Sequence, residues 1–154
     1  MTITFHSESW DCYFDDPDRL SLWREHYSEF VPAHENRMPM GPDEKTYKAL
    51  SDAGALEVIT ARKTGKLIGY CLIVVKRHIH YDALCAFEDS YFVTKPERLG
   101  SVGTRLIKRA LEVCGERGCV RGYFMTKEFN SIGKLFERLG MQKIDSVYAI
   151  WLGD

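Results

Sequence analysis

Two features of this chain combine residue types and spacing that could do chemistry: the carboxylate pair Glu88-Asp89 and the glycine-bearing loop Arg98-Leu99-Gly100-Ser101-Val102-Gly103-Thr104. A carboxylate held in a strand can exchange protons as a general acid or base, or join a hydrogen-bond or salt-bridge network. A loop that opens a helix presents unpaired backbone N–H groups at the positive end of the helix dipole, and these suit phosphate. Gly100 and Gly103 permit close backbone approach, and Arg98, Arg105 and Lys108 can add charge-assisted contacts. The same pattern also fits a plain strand-to-helix turn. Neither a Walker A sequence nor G-x-G-x-x-G occurs, which argues against P-loop and Rossmann nucleotide binding. His78 and His80 share a strand face, but no third ligand accompanies them, so no metal site is expected. The five cysteines are odd in number with no C-x-x-C pair, and Cys71 and Cys85 read as small buried hydrophobes.

These residues need a scaffold, and 154 residues suit one domain, taken here as 1–154. With 45% hydrophobic and 28% charged residues the chain can build a core and is not disordered. Lys and Arg total 21 against 22 Asp and Glu, so the basic surplus of a duplex-binding protein is missing and no nucleic acid is expected. The longest apolar run, Leu67 to Val75, falls well short of the roughly 20 residues of a membrane span. No signal peptide is read at the N-terminus, and a cytoplasmic location is expected.

Helical period follows Asp16-Pro17 through Leu20, Trp23, Tyr27, Phe30 and Val31. An irregular Pro- and Met-rich loop to Pro42 comes next, then a short helix from Asp43 to near Gly54. Leu56 to Arg62 and Leu67 to Lys76 read as strands joined by a hairpin turn, and Ala83 to Val93 as a third strand. An amphipathic helix begins at Val102, with Leu106, Ala110, Val113 and Cys114 on its apolar face, and ends at Gly118. Val120 to Thr126 reads as a strand, Ile132 to Leu139 as a helix stopped by Gly140, and Val147 to Leu152 as a closing strand. The expected class is α+β, with a mixed, mostly antiparallel central sheet and helices on both faces.

Strand Tyr91-Phe92-Val93, the Arg98 to Gly103 loop and the helix opening Thr104-Arg105-Leu106-Ile107 together resemble the GNAT acetyltransferases. Their signature is Arg/Gln-x-x-Gly-x-Gly/Ala between a strand and a helix. Leu135-Phe136-Glu137-Arg138-Leu139-Gly140-Met141 is similar to the family's Leu-Tyr-Glu-Lys-x-Gly-Phe segment. In its His-x-His-Tyr segment and Gly-Ser-Val-Gly loop the chain looks most like small members encoded by tailed bacteriophages. Ser101 stands where the family usually has its middle glycine, and Phe136 where many members carry a tyrosine thought to protonate the departing thiolate.

The resemblance implies acetyl transfer from acetyl-CoA, a co-substrate, to a primary amine on a small molecule, a protein N-terminus or a lysine. Tyr91, Phe92, Val93, Arg98, Leu99, Gly100, Ser101, Val102, Gly103 and Thr104 would hold the cofactor, with a strand N–H near Val93 polarising the thioester oxygen. Asp89 or Glu88 would serve as base. Strand alternation lets only one of them face the site, and Asp89 is favoured because it interrupts the apolar face of Phe87, Tyr91 and Val93. His80, Tyr81 and Tyr148 are further proton-exchange candidates, and Glu35, Met38 and Met40 lie in the loop expected to shape the acceptor site. A non-catalytic acyl-CoA-binding or partner-binding protein is the alternative that Phe136 keeps open. A homodimer is left open as well.

Overall fold

Leu67 to Val75 is apolar on both sides, and such a run belongs in the middle of a sheet covered on both faces. It forms the heart of the central strand in the computed structural model, which describes residues 2–30, 37–129 and 131–153. The described elements run β1 (Ile3–Glu8), α1 (Trp10–Phe14), α2 (Arg19–Ser28), α3 (Glu44–Asp52), β2 (Leu56–Lys63), β3 (Lys66–His78) and β4 (Ala83–Val93). A 3-10 turn (Lys95–Glu97), α4 (Val102–Glu116), β5 (Arg121–Tyr123) and α5 (Gly133–Arg138) complete them. The five strands lie in sequence order, antiparallel except for the parallel pair β4–β5. Helices cover both faces, as an α+β chain with these patterns should. None is long and apolar enough to cross a membrane among the described residues.

One sheet face carries Ile59, Cys71, Ile73 and Ala86 against Val102, Leu106, Ala110 and Val113 of α4. The other carries Val58, Tyr70, Leu72 and Phe92 against Trp10, Tyr13, Leu22 and Trp23 of α1 and α2. Burial of each large apolar side chain contributes about 1.5–3 kcal/mol, so these two layers hold the helices against the sheet. The β2–β3 hairpin turns through Thr64 and Gly65, both at positive φ, which matches the twist of a two-residue turn.

Three expectations need correction. The N-terminal residues, given no element from sequence, form β1 and α1; Ile3 and Phe5 alternate inward and pack beside the α4 face. Helix α2 starts at Arg19 rather than at Pro17, and its buried face is Leu22 and Trp23, leaving Leu20 44% exposed. The closing strand does not form: residues 141–153 carry no regular structure, and Val147, Tyr148, Ile150 and Leu152 are exposed. A β-rich composition makes a strand only where a partner edge receives it, and β5 extends over three residues only.

The N-terminal layer is locked by a polar network that pattern reading does not reveal. Arg62 on β2 makes two bonds to Glu8 at 2.7 and 2.9 Å and one to Asp16 at 2.6 Å. Thr60 donates to the same Glu8 carboxylate at 2.7 Å. Burial pushes the Glu8 carboxyl up, but the bonds from Arg62 and Thr60 outweigh it and hold the group below its ordinary value. Arg62→Met should therefore leave two carboxylates uncompensated and cost on the order of 3 kcal/mol, read as a lower urea midpoint near pH 7. Because the Glu8 shift is downward, the difference between variant and wild type should shrink as pH falls below the carboxylate range. Equal midpoints at neutral pH would remove this network from the account of stability.

Candidate active site

The site begins where the sheet divides. β4 and β5 pair at Cys85, Ala86 and Phe87 against Arg121, Gly122 and Tyr123, and pairing stops there. The rest of β4, from Glu88 to Val93, borders an open cleft of about 910 Å³ whose other wall is Met125 to Lys127 and α5. Glu88 bridges the two arms near the fork, accepting the Met125 N–H at 3.1 Å.

A β-bulge sits at the same place. On β3, Leu72 pairs with Ser90 and Ile73 with Glu88, so Asp89 is the extra residue. The bulge breaks strict alternation, and both Glu88 and Asp89 line the cleft. Ser90 to Val93 line it too, and the two carboxylates take different partners: Glu88 the Met125 N–H, Asp89 the Tyr47 hydroxyl. Their surroundings differ sharply. Glu88 is 6% exposed, and burial, then the neighbouring Asp89 charge, push its carboxyl up to about 7 against the pull of the Met125 N–H and Lys127. Asp89 is exposed and accepts a short hydrogen bond from the Tyr47 hydroxyl of α3, whose phenol burial and Asp89 together raise.

The other end of the cleft lies at the start of α4. Its first intrahelical bond runs from Arg105 N–H to Ser101 O at 2.9 Å, leaving the preceding N–H groups of the helix start without helical partners. Ser101 makes no side-chain cap, and Gly100 takes a φ of 127°, a conformation that favours glycine. Gly103 is needed for a different reason from the expected one: an added Cβ would collide with the Tyr91 hydroxyl, which lies over the helix start. Burial raises the Tyr91 phenol, keeping it protonated.

The loop is held by α2. Glu25 accepts from Thr94 Oγ1 at 2.6 Å and Lys95 N–H at 2.9 Å. Arg98 bonds Glu29 at 2.6 Å and the Val93 carbonyl at 2.7 Å. Arg98 thus lines the cleft while anchoring its wall. Lys108, Lys127 and Arg138 add positive charge around it.

Of the residues singled out for the cofactor, Tyr91, Phe92, Val93, Arg98, Gly100, Gly103 and Thr104 line the cleft. Leu99 is 93% exposed, Ser101 faces solvent and the Val102 side chain packs in the core, so these three reach the cleft by backbone at most. His80 and Tyr81 lie in the β3–β4 turn, about 20 Å along the strand from Asp89. Tyr148 is 94% exposed in the irregular tail. None of these three lines the cleft. Glu35 lies outside the described residues, whereas Met38 and Met40 border a second cavity that adjoins the cleft. Phe136 is buried edge-on against Phe124, with ring centroids 5.7 Å apart.

His26 was not legible as a site residue. It lies between the two cavities, with Nδ1 2.7 Å from the Tyr70 hydroxyl and its ring stacked on Phe92. Burial, then the charge of Arg98, push it down to about 4, so the imidazole is neutral. The polar run Glu88-Asp89-Ser90 inside an apolar strand was the sequence signal for the bulge.

The model of the Acetyltransferase (GNAT) family matches residues 7–141. Solved structures share the fold at low identity. An aminoglycoside acetyltransferase from an uncultured soil metagenomic sample is 16% identical, covers 99% of this chain and 100% of its own, and has a TM-score of 0.72. A ribosomal-protein-alanine N-acetyltransferase from Brucella melitensis biovar Abortus is 19% identical with both chains fully covered and a TM-score of 0.72. A transcriptional regulator from Bacillus halodurans is 15% identical over 98% of this chain and 100% of its own, with a TM-score of 0.76. No curated protein matches the chain significantly by sequence.

The raised Glu88 carboxyl has a measurable consequence. Between the ordinary carboxylate value of 4.5 and about 7 the folded state holds a proton that the unfolded state releases, so stability falls as pH rises through that window. Glu88→Gln cannot ionise and should escape this fall, gaining up to about 3 kcal/mol on wild type between pH 5 and pH 8 in urea unfolding. Parallel stability curves would show that Glu88 titrates as an ordinary carboxylate.

Proposed function

Since this chain belongs to the GNAT acetyltransferase family, we propose that it uses acetyl-CoA to acetylate a primary amine, with Glu88 receiving the amine's proton. The observation that carries this reading is the fork between β4 and β5, where a buried carboxylate of raised basicity faces a cleft that ends at a helix N-terminus. Acetyl-CoA fits the donor set. The unpaired N–H groups of α4 suit its pyrophosphate, and Lys108, Lys127 and Arg138 offer charge to its phosphates. An intracellular location, where acetyl-CoA is made, follows from the same reading. The likeness to phage-encoded members rests on the His78 to Tyr81 turn and the Ser101 loop alone.

The chemistry follows from the residues. Thr94 donates its N–H to Ile68 on β3 at 3.0 Å, so by strand alternation the N–H and C=O of Val93 face away from β3. The Val93 N–H can then polarise the thioester oxygen. Glu88, whose value near 7 keeps it half-ionised at neutral pH, first takes a proton from the arriving ammonium. The neutral nitrogen then attacks the carbonyl carbon, the C–N bond forms and the C–S bond breaks. Asp89, held by Tyr47, balances the charge of the arriving ammonium. The nitrogen sheds its second proton as the amide forms, and the departing thiolate takes up a proton through solvent. Phe136 supplies no proton here, consistent with its packing against Phe124.

Two measurements test this. Acetyl-CoA at 100 times its Kd should stabilise the fold by roughly 2.7 kcal/mol, and Gly103→Ala should weaken that thermal shift by displacing Tyr91. No shift at millimolar acetyl-CoA would remove the cofactor. In amine-dependent CoA release, Glu88→Gln should cost about 10²–10⁴ in rate and abolish the acidic limb near pH 7. Asp89→Asn should act mainly on KM. Binding without release in wild type would leave an acyl-CoA-binding protein instead.

A further inference from the structure

The second cavity, of about 420 Å³, opens onto the cleft at His26, Phe30 and Ser90, which line both. Its size is that of a small-molecule site. Trp23, Tyr27, Tyr47, Tyr70 and Met40 wall it. No Asp or Glu is among the described residues that line it, and its histidine is held neutral. Among the described residues, carboxylates meet this space at the cleft side, where Glu88 and Asp89 stand beside Ser90, and Glu29, bonded to Arg98, beside Phe30. A polycationic acceptor would need several anionic partners along its length, and burying unpaired charge against these walls is costly. One ammonium at the mouth, attached to an apolar body inside, satisfies the arrangement at both ends. Aromatic faces around the mouth favour such a cation further.

Resting on the acetyl-transfer reading above, we propose that the acceptor is a small monoamine with an apolar, ring-sized body, seated in the second cavity with its nitrogen at Asp89. In the transfer the ammonium first loses a proton to Glu88. The nitrogen then bonds the acetyl carbon as the C–S bond breaks, and its second proton passes through solvent to the departing CoA thiolate. An aminoglycoside and a ribosomal-protein alanine, the acceptors named for two of the structural neighbours, are disfavoured by the same walls, the first for its several charges and the second for its backbone polar groups.

Binding and turnover separate the two readings. Calorimetric titration in the presence of CoA compares 2-phenylethylamine, kanamycin and an alanine-initiated tripeptide on the wild-type protein. The expectation is at least tenfold tighter binding of 2-phenylethylamine, and about tenfold weakening by Met40→Glu, which places a carboxylate in the wall at a half-exposed position. The same variant should tighten 1,5-diaminopentane. Tighter binding of kanamycin or the tripeptide, or indifference of all amines to Met40→Glu, overturns the assignment of the cavity. Acetyl transfer to kanamycin or the tripeptide alone would overturn it too, while leaving the acetyltransferase reading intact. If 2-phenylethylamine binds as expected and Met40→Glu weakens it, the cavity assignment stands even where no CoA is released, and the failure then belongs to acetyl transfer.

Discussion

A fully paired sheet has no interior site, because each backbone N–H and C=O between neighbouring strands is already used. This molecule depends on the place where pairing is given up. β4 continues to Val93 while its parallel partner β5 is bonded only as far as Tyr123, opposite Phe87. Beyond that point one strand keeps its antiparallel neighbour β3 and frees its other edge. The freed edge supplies backbone donors, and the gap supplies volume, without any loss of the core beneath.

Leaving a strand edge open is costly unless something occupies or braces it. Here the bracing is polar and comes from several directions. Glu88 accepts the Met125 N–H across the fork, Arg98 bonds the Val93 carbonyl, and Glu29 holds Arg98 in turn. Glu25 fixes the loop before α4 from the side of α2. The apolar layers set the positions of α2 and α4, and these bonds set the width of the gap between them. Burial of Glu88 beside Asp89 is the same constraint seen electrostatically: at the bulge Glu88 lies in low dielectric, and burial with the neighbouring Asp89 charge raises its basicity.

Legibility from sequence followed the range of the interactions. The Ala83 to Val93 strand, the amphipathic face of α4 and the glycines that end helices are local patterns, and all three have their expected places. The helix-opening loop was also local, and most of its named residues reach the cleft. What escaped was non-local. β1 is a short alternating strand whose identity depends on pairing with β2, far along the chain, from Ile3 against Lys63 to Glu8 against Val58. The bulge at Asp89 depends on how β3 is bonded, not on β4 alone. His26 becomes a junction residue only through Tyr70 and Phe92, and Arg62 a lock only through Glu8 and Asp16. The exposed tail errs in the opposite direction: Val147 to Leu152 has every local mark of a strand and no edge receives it.

The two cavities meet at residues that belong to neither chemistry alone. Ser90 follows the carboxylate pair, His26 carries the last turn of α2, and Phe30 closes its end. A charged imidazole at this junction would place a cation beside the carboxylates. Stacking on Phe92 and bonding to Tyr70 bury the ring, and burial keeps it neutral. The packing that holds α2 to the sheet therefore also sets the electrostatics of the junction. The carboxylates at the fork stand between largely aromatic ground on the Tyr70 side and helix-dipole and cationic ground on the α4 side of one continuous space.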